Sequence, residues 1–164
     1  MCSMGDGPGS EDTTMADMQR NATSVQDFAE HEHMDLVRGI NRIHDVACHV
    51  GAVSRTELSV QLIDVLHWFD STLEPHIAWE EAWLYPEIDT RTGSPWATRA
   101  ARFDHRQLRA VLAEVRADQA SLHNVEMGEH HSETRCHLFS LVALVRAHIE
   151  REERFLMPIL GEAG

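Results

Sequence analysis

One stretch of eleven residues occurs twice, and no other feature restricts the fold so strongly. His76 to Pro86 reads H-I-A-W-E-E-A-W-L-Y-P, and His148 to Pro158 reads H-I-E-R-E-E-R-F-L-M-P. His, Ile, both Glu, Leu and Pro coincide, and Trp83 is answered by the aromatic Phe155. The offset is 72 residues, and at that offset Glu32-His33-x-x-Leu36 is answered by Asp104-His105-x-x-Leu108. Such a period marks one supersecondary unit written twice. Each unit carries a lone His and, 43 residues later, a His-x-x-x-Glu pair. In a chain with 12 His and 27 acidic residues a single pair would mean little, and His31-x-x-x-Asp35 is read as an accident. The weight lies in the shared offset.

The unit reads as a helical hairpin, so the fold expected is all-α, an up-down-up-down four-helix bundle built from two hairpin repeats. Residues 1–24 lack helical patterning and are expected to form a disordered tail, with the bundle over 25–162. Helix 1 is expected from Val25 to Val50, with Thr23-x-x-Gln26 as capping box, Gly51 as stop, and His33, Val37, Ile40, His44 and Ala47 or Cys48 facing inward. Helix 2 starts at the capping box Ser54-x-x-Glu57, and its inward stripe runs Leu62, Val65 or Leu66, Phe69, Leu73, His76, Glu80, Trp83. Pro75 either kinks this helix or breaks it, and Pro86 ends it or bends its last turn. Helix 3 is expected from the N-cap Ser94, with Pro95 at its first position, to Leu122, presenting His105, Leu108 and Val115 inward. After a polar loop over 123–132, helix 4 runs from Glu133 to Leu156 or Met157, with Leu138, Leu141, Val145, His148, Glu152 and Phe155 inward and Pro158 as its end. No segment alternates with period two, so no sheet is expected.

Composition removes several function classes. A formal net charge of −13 argues against nucleic acid or an anionic membrane as partner. No run of about 18 apolar residues exists to span a bilayer. Cys2, Cys48 and Cys136 form no C-x-x-C pair, so neither a disulfide framework nor a thiolate zinc site is expected. Cys48 and Cys136 are read as small buried residues, and the expected compartment is the cytoplasm. No secretory signal is read at the N-terminus.

His and Glu four residues apart share one helix face, one turn apart. The repeat therefore brings His33 and His105, one from each odd helix, together with His76, Glu80, His148 and Glu152 from the even ones. Four imidazoles and two carboxylates then face inward at one level. Burying ionised groups without partners costs several kcal/mol per ion, and no Lys or Arg of the inward stripes stands at that level. Cations explain the pattern best. The two-fold repeat favours two metals near the pseudo-axis, with carboxylates bridging them. Mixed imidazole and carboxylate donors suit iron or manganese, with zinc less favoured. His44 and His137, each eleven residues from a candidate ligand, should come level with each other, either as a second polar or metal layer or as locally hydrogen-bonded groups. Trp79 and Trp83 are read as core or helix-interface aromatics, and Tyr85 as near enough to reach a metal or supply a proton.

On these motifs the chain resembles the hemerythrin-like HHE cation-binding proteins, whose pattern is H…HxxxE…H…HxxxE, over about residues 25 to 160. The resemblance implies a non-haem di-iron centre, carboxylate- and oxo- or hydroxo-bridged, that meets dioxygen, hydrogen peroxide or nitric oxide. Carried over, the metal ligands are His33, His76, Glu80, His105, His148 and Glu152. Oxygen-carrying members place another His four residues after the helix 3 His, where this chain has Arg109. They also use a carboxylate five residues after the helix 4 His, so Glu153 competes with Glu152. Glu81, Glu153, Tyr85 and Arg109 are thus outer groups or alternative ligands. With one imidazole fewer, each iron keeps an open or water-filled position, which favours turnover over reversible oxygen carriage. The functions implied are oxidative or nitrosative stress handling, with peroxide decomposition by a di-iron oxidoreductase as the enzymatic form. An iron- or oxygen-responsive regulator without turnover is the alternative, and a structural zinc bundle a third. The expected species is a monomer or weak homodimer.

Overall fold

The computed structural model describes residues 15–122 and 131–161, with side chains from residue 32 onward. The expected polar loop lies almost wholly outside the described residues, as does the expected tail up to residue 14. The described residues form four helices and no strand: α1 (Met15–His49), α2 (55–92), α3 (Arg99–Ser121) and α4 (131–161). α4 packs on both α1 and α3, while α2 completes the ring against α3 and, more loosely, α1. This is the expected four-helix bundle.

α1 begins at Met15, ten residues before the expected start, so residues 15–24 are helical rather than tail, and the Thr23 capping box falls inside the helix. No Gly or Pro interrupts residues 15–38, and Met, Ala, Gln and Arg are strong helix formers. Propensity thus carries the helix past the end of the apolar stripe. Gly51, in the left-handed region at φ 86°, stops it. Ser54 caps α2 as expected, its hydroxyl accepting from the Glu57 N–H at 3.2 Å. The inward stripe of α1 is Leu36, Ile40, Ile43, Ala47 and Val50. Val37 lies one position off this stripe and is exposed, and His44 is half-exposed for the same reason. Cys48 is also off the stripe, and it and Cys136 are exposed rather than buried. Gly39 is a close-approach position: a Cβ there would lie 2.2 Å from the Trp68 indole, across a cleft of about 540 Å³ between α1 and α2.

The prolines do not end their helices. α2 runs through Pro75 and Pro86 to Thr92, where Gly93 at φ 63° closes a Schellman turn: Ser94 N–H reaches Asp89 O, and Gly93 N–H reaches Thr90 O. α4 likewise passes Pro158 to Gly161. Each proline follows a widened π turn: Phe69–Leu73 before Pro75, Glu80–Leu84 before Pro86, Glu152–Leu156 before Pro158. The residue just before each Pro donates five residues back, Glu74 to Phe69, Tyr85 to Glu80 and Met157 to Glu152. A proline ring collides with the carbonyl four residues behind it. A wider turn there relieves the collision without breaking the helix.

The extra residue also changes which side chains face inward. After Glu80 and Glu152 the buried positions are Leu84 and Leu156, while Trp83 and Phe155 are 69% and 61% exposed. Both were expected inside from an unbroken 3.6-residue period, and the π turns move the register past them. α3 starts after Thr98, not at Ser94, because residues 95–98 form a turn held by Asp89, whose carboxylate accepts from the Thr98 hydroxyl at 3.0 Å.

Candidate metal centre

The helices deliver six ionisable side chains to one buried layer: His33 from α1, His76 and Glu80 from α2, His105 from α3, His148 and Glu152 from α4. None is more than 2% exposed. All four imidazoles turn Nε2 inward. Glu80 stands at the centre: its Oε1 is 2.8 Å from His76 Nε2 and 3.8 Å from His33 Nε2. Its Oε2 is 3.1 Å from His105 Nε2 and 3.6 Å from His148 Nε2. Glu152 Oε2 lies 3.3 Å from His33 and 3.6 Å from His148. The donors form two sets, His33, His76, Glu80 and Glu152 in one and Glu80, His105 and His148 in the other, and Glu80 belongs to both.

The outer side of the layer repeats as faithfully as the inner one. His105 Nδ1 is 2.8 Å from Glu81 Oε1, and His33 Nδ1 is 3.2 Å from Glu153 Oε1. His76 Nδ1 faces Glu32 at 4.0 Å and His148 Nδ1 faces Asp104 at 3.9 Å, which is ion-pair range but too long for a hydrogen bond. An imidazole whose outer nitrogen meets a carboxylate is held in one orientation, with the inner nitrogen free to bind. Glu81 and Glu153 are thus outer groups here. Glu32 and Asp104 had no role in the sequence reading, although the repeat places each directly before a candidate ligand.

Tyr85 is fully buried within the layer. Its hydroxyl donates to Glu152 Oε1 at 2.5 Å and sits 3.1 Å from His105 Nε2. Arg109 stays out of it. Its guanidinium forks onto Glu74, at 2.8 and 3.1 Å, and reaches Glu81 at 3.2 Å, so it fastens the carboxylate that holds His105. His44 and His137 form no common layer: His137 Nδ1 meets Asp118 at 2.8 Å, while the His44 ring packs edge-on against Phe139.

Protonation follows this crowding. Burial lowers the basicity of His33, but the nearby carboxylates of Glu152 and Glu80 outweigh it and raise its pKa to about 10. Burial likewise opposes His148, and the charges of Glu152 and Glu80 raise it nonetheless. Burial also works against ionised Glu80, yet four imidazole contacts hold its carboxyl well below the ordinary range. Glu152 goes the other way, pushed up by burial and by the charge of Glu80. Burial and the same two carboxylates push the Tyr85 phenol far up, so it stays protonated. The layer asks for positive charge at its centre. Short as some of these contacts are, His33 Nε2, His76 Nε2, both oxygens of Glu80 and Glu152 Oε2 are buried and none of them makes a hydrogen bond of good geometry. Orphaned atoms of this kind, converging from three helices, fit metal cations.

The family model described as Hemerythrin HHE cation binding domain matches residues 24–162. No curated protein and no solved structure matches the chain. Among the described residues no helix is long and apolar enough to cross a membrane.

Proposed function

The chain belongs to the hemerythrin HHE cation-binding domain family, and on that premise we propose that it holds two iron ions and reacts with a small oxidant: dioxygen, hydrogen peroxide or nitric oxide. One ion would be held by His33, His76, Glu80 and Glu152, the other by His105, His148 and Glu80. The carrying observation is that Glu80 belongs to both donor sets, each of its oxygens serving a different one. Imidazole with carboxylate suits iron, with manganese and zinc as lesser candidates. Bound iron would supply the electron exchange with the oxidant.

Two features of this chain favour reaction over reversible carriage. Arg109 faces Glu74 and Glu81, so the position where oxygen carriers have a fifth imidazole contributes no donor. Tyr85 keeps its proton at Oη, beside the set with fewer donors, and can hold or pass it there. The enzymatic form of this reading is a di-iron oxidoreductase acting on peroxide. The exposed thiols of Cys48 and Cys136 suit a reducing compartment, the cytoplasm.

A second reading, an iron- or oxygen-responsive regulator without turnover, draws on the same layer. Six ionisable groups spanning all four helices tie bundle stability to occupancy, because binding energy at a site absent from the unfolded chain is folding energy.

The test is metal content per chain after iron-replete expression, read with the absorption spectrum and a peroxide consumption assay. Two irons with oxo-bridge absorption and sustained peroxide loss are expected. Two irons without peroxide loss, and a melting temperature that collapses on iron removal, would favour the regulator. One zinc, or no metal, would overturn both.

A further inference from the structure

α3 opens against its own dipole. Its first turn contains no acid, and Arg99, Arg102 and Arg106 stand within its first two turns. Cationic side chains there oppose the positive end of the helix. Asp89 offsets Arg102 at 3.5 Å. Among the described residues Arg99 and Arg106 have no acidic partner. Each guanidinium lies over an exposed ring instead: Arg99 Cζ is 4.3 Å from the Trp96 centroid and Arg106 Cζ is 5.4 Å from that of Phe103. Trp96 is 66% exposed and Phe103 51%. These two stacks, about two helical turns apart, line a single cleft of about 740 Å³ with Asp104 and Arg151. Arg151 is paired with Asp104. The cleft is therefore net positive on a chain whose formal net charge is −13.

We propose that this cleft binds a planar aromatic anion, a ring system that carries a carboxylate or phosphate. A guanidinium stacked on a ring still points its N–H groups outward in its own plane, and that fork matches a carboxylate or phosphate edge; Arg106 gives one of these groups, at Nη1, to Arg102 O at 3.1 Å and keeps the others for a ligand. The exposed faces of Trp96 and Phe103 offer the ring system a surface to stack on. The volume falls within the roughly 300–1,000 Å³ of small-ligand sites. A bound anion would also offset the uncompensated charge at the start of α3. Asp104 is the inner wall of the cleft, and its carboxylate is the one 3.9 Å from His148 Nδ1. The site thus backs onto the metal centre, yet nothing in its own recognition depends on which metal is bound.

The probe is flavin mononucleotide, titrated into the full-length chain with flavin fluorescence as the readout and circular dichroism as the check on folding. Saturable one-to-one quenching is expected, weakening with added salt. Arg99→Gln and Arg106→Gln should each weaken it about tenfold, as loss of a charge-assisted hydrogen bond does. Arg146→Gln, on the exposed face of α4 and hydrogen-bonded to Asn41, should leave it unchanged. Neutral riboflavin should bind at least about tenfold more weakly than the phosphorylated form. Absence of saturable quenching would overturn the proposal. So would equal binding of riboflavin, or full affinity in both arginine variants.

Discussion

In the first hairpin Glu80 is followed five residues later by Tyr85; in the second, Glu152 is followed at that place by Met157. Both residues are buried. The phenol takes one oxygen of Glu152, so the second hairpin's carboxylate is left with a single oxygen toward the imidazoles, whereas Glu80 offers both. A second difference lies outside the layer. Glu81 is fastened by Arg109 and approaches His105 at 2.8 Å, while its counterpart Glu153 is half-exposed and approaches His33 at 3.2 Å. At the position equivalent to Arg109 the first hairpin has Val37, which cannot hold a carboxylate. A sequence repeat can therefore duplicate a ligand set while a few unmatched neighbours make its two halves unequal.

The largest expected effect tests the inequality of the carboxylates. Glu80→Gln should abolish most binding of both ions, and Glu152→Gln should leave roughly one per chain, since Glu80 alone serves both sets. Elemental analysis of the purified variants decides it, and equal losses would contradict the asymmetric role.

Next comes the pH dependence of the metal-free chain. His33 has a folded pKa of about 10, above its unfolded value of 6.5. Its stabilising contribution is complete below that lower value and disappears as pH rises through the higher one. Glu152, also raised, acts in the same direction, because its charged form is penalised in the fold. The urea midpoint of the metal-free chain should thus fall between pH 6 and pH 10. Glu152→Gln should flatten part of that slope. Metal-loaded protein should show the opposite trend, since ligands must be deprotonated to bind. A metal-free midpoint that rises with pH would refute the assignment.

Smaller is the difference between Tyr85→Phe and Met157→Leu. The first removes a buried hydrogen bond to a charged group and should cost about 1.5–3 kcal/mol of metal-free stability. The second conserves volume and should cost less than about 1.5 kcal/mol. Denaturant titration separates them, and identical costs would mean that the phenol is merely a space-filler. Smallest is Arg109→Gln, which frees Glu81 and should bring His105 to the looser state of His33. A metal-release rate higher by about tenfold is expected, the low end of the range of about 10–100-fold for groups that touch a ligand, because Arg109 acts through Glu81. An unchanged rate would show that Glu81 holds His105 unaided.

The bundle and the convergence of six donors were legible because both depend on spacing alone, and the repeat gave that spacing twice. What a uniform helical period cannot reveal is a change of period. Trp83 and Phe155 were misplaced because the π turns at Glu80 and Glu152 insert a residue, although the prolines six residues after each Glu were a usable signal. Cys48 and Val37 were misplaced by one position on α1, where apolar residues at neighbouring positions offered competing stripes. The roles of Glu32 and Asp104 required seeing which imidazole each one faces, and that is a property of packing between helices, not of order along one.

The ionisable layer also partitions the interior. On one side lies a large apolar cluster from Leu36 to Ile149; on the other is a small one built on Leu84, Tyr85, Ile88, Ala101, Leu156 and Leu160. The buried imidazoles and carboxylates lie between the two. Chelation should lower the melting temperature of the whole and, at temperatures below it, loosen the small-cluster end first. Amide exchange should quicken first around residues 84–88 and 156–160, as a sub-global opening of that end, while the amides near Leu62 and Leu141 stay protected. On the regulatory reading, loss of metal would register first as the openness of one end of the bundle.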